Sequence, residues 1–146
     1  MRRLYLDDLN VGDRFLSDEY LLDREQLVDF AAQYDPQPFH TNATAADTSL
    51  FRGLAASGWH TASITMRLLV QSVPVAGGLV GLGAEIAWPH PTRPGDRLRV
   101  ESHIIAIDPS TSKPDRGVVT TESRTLNQNG EVVQLMTSKL LVFRHR

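Results

Sequence analysis

"SGWHTASITMRLLV", residues 57–70, is the stretch on which the fold turns. Trp59, Ala62, Ile64, Met66, Leu68, Leu69 and Val70 leave Arg67 as its only formal charge. Apolar residues on nearly every face predict a helix covered on most of its sides. Ser57 or Gly58 opens it, and Pro74 with Gly77-Gly78 closes it. The second half of the chain supplies the cover, because after Gly83 the period changes to two. "RLRVESHIIAI" (97–107) alternates Leu98 and Val100 and carries Ile104 further on. "GVVTTESRTL" (117–126) and "EVVQLMTSKLLVF" (131–143) are rich in β-formers, and the Asn129-Gly130 between them is a strong hairpin signal. "WPHPTRPGDR" (88–97) and "PSTSKPDRG" (109–117) read as irregular connections.

Upstream, a short strand is expected near Phe15–Leu21. A helix follows, with Leu27, Phe30, Ala31 and Tyr34 at i, i+3, i+4 and i+7 and Asp23 with Gln26 resembling a capping box. Pro36 biases Asp35 out of the helical region and ends it. Helices first and strands later predict an α+β fold: one domain over residues 1–146, its antiparallel sheet wrapped around a long central helix.

Of the 146 residues, 41% are hydrophobic and 22% charged, which excludes a disordered or fibrous chain. A formal net charge of −2 gives no electrostatic footprint for nucleic acid. The absence of cysteine removes disulfides, thiolate nucleophiles and cysteine-held metals together. Asp7 and Asp8 interrupt the start before an apolar leader develops, and no run approaches the roughly 18 apolar residues of a membrane span, so a cytoplasmic protein without a membrane partner is expected.

"YDPQPFH", residues 34–40, sets Asp35 and His40 on either side of two prolines. Each proline fixes a φ angle, so the two ionisable groups are held in a stiff relation. A carboxylate and an imidazole placed this way can hold one water between them, one group taking a proton as the other delivers one. The same residues also suit a plain turn, with Asp before Pro as a starter and His40 as a backbone cap. The second candidate is Gly58 at the start of the apolar helix. First-turn N–H groups lack intrahelical partners and sit at the positive dipole end, so an N–H there can polarise a carbonyl. Ser57 as an N-cap with glycine for close packing is the structural alternative.

"YDPQPFH" resembles the signature of the MaoC-like dehydratases and (R)-specific enoyl-CoA hydratases, in which an Asp, an amide residue, a Pro and a His follow a helix; here these are Asp35, Gln37, Pro38 and His40. Gly58 and "PTRPGD" (91–96) fall in the family's order, so the likeness covers most of the chain. The resemblance implies a hot-dog fold, usually a homodimer, with Asp35 and His40 holding the catalytic water and the Gly58 N–H receiving a thioester oxygen. It implies reversible hydration of a trans-2-enoyl thioester to the (R)-3-hydroxyacyl thioester, with coenzyme A as part of the substrate and no metal or redox cofactor. This chain departs from the family's usual residues at Tyr34, Gln37 and Ser57, and these three are expected to contact the substrate.

Other motifs carry less. "GGLVGLGAE" (77–85) does not complete a dinucleotide-binding fingerprint and reads as a loop entering a strand. Ser57 and His60 lack the G-x-S-x-G elbow of a hydrolase triad, and His60 reads as a packed helix residue. Arg67, Arg93, Arg97 and Lys113 suit a phosphate without any spacing that selects among them. A hot-dog thioesterase and a non-catalytic acyl-thioester binding protein are the competing functions.

Overall fold

The computed structural model describes residues 2–146. Four α-helices, α1 (Arg24–Tyr34), α2 (Pro38–Thr41), α3 (Ala43–Asp47) and α4 (Gly58–Ser72), follow two short strands and precede four longer ones. The strands are β1 (Arg14–Leu16), β2 (Tyr20–Leu21), β3 (Val80–Ala87), β4 (Arg97–Pro109), β5 (Arg116–Leu126) and β6 (Val132–Phe143). The sheet runs β1-β4-β5-β6-β3, every pairing is antiparallel, and β2 adds to β4 beyond β1. Its concave face packs on α4, which is the expected hot-dog arrangement of a sheet around a central helix.

Local chemistry explains the elements. Asp23 accepts the Gln26 N–H at 2.8 Å and caps α1, but the Gln26 side chain accepts from the Tyr20 hydroxyl instead of reaching back, so only half of the capping box forms. At the β5–β6 turn Asn127 Oδ1 accepts from the Asn129 and Glu131 N–H groups, and Gly130 takes the positive φ of +76°. The core gathers around α4: Leu68 meets Leu27, Leu98, Val100, Val119 and Val142 in one buried cluster. Each such side chain contributes about 1.5–3 kcal/mol on burial.

Four expectations are corrected. The strand near Phe15–Leu21 breaks in two because Ser17 turns both its N–H and its hydroxyl to the Val100 backbone. Residues 38–47, read as loop, form α2 and α3, since Pro38 sits at a first-turn position where its missing N–H costs nothing and Asn42 caps α3 through the Ala45 N–H. β3 begins at Val80, before Gly83, with a register shift at the two glycines 81 and 83. Finally, α4 is covered on one face only: Thr61, Ile64, Thr65, Leu68 and Leu69 are buried, while Trp59, Met66 and Val70 face outward at 59%, 42% and 57% exposure.

Candidate active site

Asp35 is the C-cap of α1, its N–H still bonded to Ala31 O, and the two prolines then turn the chain so that α2 brings His40 back over it. His40 is buried, and its Nδ1–H donates to Ala55 O at 2.6 Å. A carbonyl can only accept, so Nδ1 carries a proton, and in the neutral tautomer this selects Nε2 is an acceptor. That Nε2 stands 3.3 Å from Asp35 Oδ2. Two acceptors this close can both be reached by a single water at about 2.8–3 Å from each.

The surrounding donors hold Asp35 as a carboxylate. Partial burial works against its charge, but the Gln37 amide donating to Oδ1 at 2.5 Å and the Ser57 hydroxyl donating to Oδ2 at 2.7 Å favour the charged form, and the carboxyl lies below its usual range. Ser57 also caps α4, accepting the Trp59 N–H at 3.3 Å. One hydroxyl thus fixes the start of the central helix to the acid–base pair. The Gly58 N–H follows directly in the first turn, where intrahelical partners do not exist.

His40 and Gly58 line one cavity of about 470 Å³, together with Thr61, Trp88, Thr92 and Val133. The structure therefore brings Asp35, Gln37, His40, Ser57 and Gly58 into one cluster. It does not bring Tyr34 there: Tyr34 is 70% exposed and packs on Phe30 at the outer surface. His60 stacks on Phe30 at 4.3 Å, and burial pushes its imidazole down, toward the neutral form, which agrees with a packing role.

Gly58 needs its hydrogen for a reason the sequence did not reveal. A Cβ at this position would lie 2.6–2.8 Å from ring carbons of Trp88, so the space expected to be open to a ligand is occupied by an indole. Trp88 is tied by its Nε1–H to Gln134 Oε1 at 3.0 Å. Arg93, considered for phosphate, turns inward: Nη1 donates to the carbonyls of Gly53 and Leu54 and Nη2 to that of Phe51, which fixes the loop closing the cavity. Arg67 lies over the Tyr20 ring. The roles of Trp88 and Arg93 escaped the sequence because each contact spans about 40 residues; the only local cue was the proline-rich 88–97 stretch.

With this geometry in hand, comparison with known proteins is specific. The MaoC-like domain model matches residues 10–127. A crystal structure of the MaoC-like dehydratase from Rhodospirillum rubrum superposes with a TM-score of 0.96 at 58% identity, covering 98% of this chain and 99% of that one. The (R)-hydratase from A. caviae involved in PHA biosynthesis superposes with a TM-score of 0.72 at 25% identity, covering 94% and 98%. The Bacillus subtilis (strain 168) protein YdeM, itself uncharacterized, is 25% identical over 126 residues, which is 84% of this chain and 87% of YdeM. A family match across most of the chain, on a helix-wrapping sheet with the Asp35–His40 pair tied to the start of α4, has one meaning: this protein belongs to the MaoC-like domain family.

Proposed function

We propose that this protein catalyses the reversible hydration of a trans-2-enoyl thioester to the (R)-3-hydroxyacyl thioester. The observation that carries the reading is the pair of acceptors, Asp35 Oδ2 and His40 Nε2, 3.3 Å apart beside the start of α4. Similarity to the MaoC-like dehydratase and the (R)-hydratase supports the reaction class.

In this reading a water donates to both acceptors. Its oxygen adds to the β-carbon, one O–H bond breaks, and the proton passes to the Asp35–His40 pair. The electrons of the C=C bond move onto the thioester as an enolate, whose oxygen accepts from the Gly58 N–H at the positive end of α4. The held proton is then delivered to the α-carbon. Asp35 and His40 are the catalytic residues, Gly58 stabilises the oxyanion, and Ser57 and Gln37 position the carboxylate. Coenzyme A enters only as part of the substrate, and the steps call for no metal or redox cofactor. The working form is a homodimer, supported by the exposed apolar residues Met66, Val70 and Leu82 beside the outer edge of β3.

The test mixes the protein with crotonyl-CoA and follows the conjugated enoyl-thioester absorbance and free thiol together. Loss of conjugation without thiol is the expected result. Thiol release indicates a thioesterase, and tight acyl-CoA binding with no change in either signal over a broad enoyl panel indicates a binding protein.

A further inference from the structure

β3 and β6 pair as Ile86 with Met136 and Ala87 with Leu135, which sets Trp88 opposite Gln134 one step on, on the same face as Ile86 and Met136. There the indole N–H donates to the Gln134 carbonyl oxygen at 3.0 Å. Gln134 in turn lies opposite Thr125 of β5, whose hydroxyl is 2.6 Å from that of Thr65 on α4. Thr65, Thr125, Gln134 and Trp88 thus form one polar layer running from the central helix across β5 and β6 to Trp88, which follows β3 and is 41% exposed. The first three are fully buried.

This layer lies between two cavities. On one side is the cavity holding His40 and Gly58, which takes Gly58 and Thr61 from α4. On the other is an apolar cavity of about 320 Å³, which takes Met66 and Leu69 from further along α4 together with Leu79, Met136 and Leu140. Both lie between α4 and the sheet, and successive side chains on one strand face recur about every 7 Å, so the second cavity begins one side-chain layer beyond Trp88. The indole stands against Gly58 itself, within 2.6 Å of where a Cβ would be.

Gln134 shows that the layer is more than filling. Its Oε1 is fixed as the acceptor because an indole N–H can only donate, and its Nε2 has no partner among the described residues. An unpaired buried donor is unfavourable, and a leucine of similar size fills the same space without one. What the amide adds is a single directed bond that holds the indole in place.

We propose that Trp88, anchored by Gln134, is the size-selecting wall of the site: it confines the acyl group to the His40–Gly58 cavity and bars it from the apolar cavity beyond. The protein therefore selects short-chain acyl thioesters. The substrate class rests on the hydratase reading above; the wall itself rests on the two cavities and the bond between them.

The experiment compares binding of butanoyl-CoA and octanoyl-CoA by calorimetry, and turnover of the corresponding 2-enoyl-CoAs, in wild type, Trp88→Ala and Gln134→Leu. Wild type is expected to prefer the four-carbon ligand. Trp88→Ala should move the octanoyl-to-butanoyl affinity ratio at least about tenfold toward the longer chain, as removal of a pocket wall does for apolar groups. Gln134→Leu, which keeps volume but frees the indole, should move it in the same direction by less, and it decides the matter if Trp88→Ala does not fold. An unchanged ratio in a folded variant, or a wild type that binds octanoyl-CoA as tightly as butanoyl-CoA, overturns the wall. A shifted binding ratio with no enoyl turnover in any protein upholds the wall and overturns the hydratase reading instead.

Discussion

The Ser57 hydroxyl accepts from the Trp59 N–H and donates to Asp35, so a single atom links the helix start to the charged group of the site. Ser57→Ala is expected to cost about 1 kcal/mol as a lost N-cap. It should also release Asp35 upward in pKa. The sign follows from linkage: the folded carboxyl lies below its ordinary 3.8, so its stabilising contribution is present above that value and is lost as pH falls through the folded pKa. The acid limb of the kcat/KM profile should therefore move to higher pH in Ser57→Ala, and the difference in thermal stability between the two proteins should narrow at the lowest pH. A limb that does not move would mean that Ser57 contributes nothing to the carboxylate. At this scale much was legible from sequence, because Asp35 and His40 lie within one proline-bounded step. Tyr34 lies outside the cluster, since adjacency to Asp35 along the chain does not survive the turn at the end of α1, which leaves the ring on the outside.

Between elements, the start of α4 and the end of β3 fit because residue 58 has no side chain. Gly58→Ala should destabilise by about 1–3 kcal/mol through overpacking against Trp88. Trp88→Ala in the same chain should remove that increment, so a double-mutant cycle read by denaturant unfolding should show non-additive coupling. Additive effects would place the strain elsewhere. Arg93 makes a parallel case: a lysine cannot reach three carbonyls at once, so Arg93→Lys should loosen residues 51–54 and raise the rate of limited proteolysis there. The central helix and the β5–β6 hairpin were readable from periodicity and an Asn-Gly turn. The Trp88–Gln134 contact was not, because it depends on the offset between β5 and β6 at Thr125/Leu126, which leaves adjacent Val133 and Gln134 both buried. Short helices after prolines are likewise hidden, since Pro38 reads as a breaker until its place at a helix start is seen.

For the molecule as a whole, β3 is the outer strand of the sheet, with Val80 and Leu82 exposed at 45% and 55%, next to the uncovered Met66 and Val70 of α4. A long apolar edge of this kind is a pairing surface unless charge blocks it. The proposed homodimer predicts a mass of two chains by light scattering, reduced to one by Leu82→Lys with Met66→Glu; a monomeric wild type would contradict it. The fold class was legible because it rests on one apolar helix and three long strands, whereas the uncovered side of α4 was hidden, since an apolar face reads the same whether its own chain or another covers it. The central claim is that Asp35 and His40 together move the proton of an adding water. It is tested most directly by turnover of crotonyl-CoA in Asp35→Asn, with circular dichroism to verify the fold. Asparagine keeps the shape and removes the charge, so a loss of about 10² to 10⁴ in kcat is predicted in a folded protein. Near-normal turnover by that folded variant would contradict the assignment.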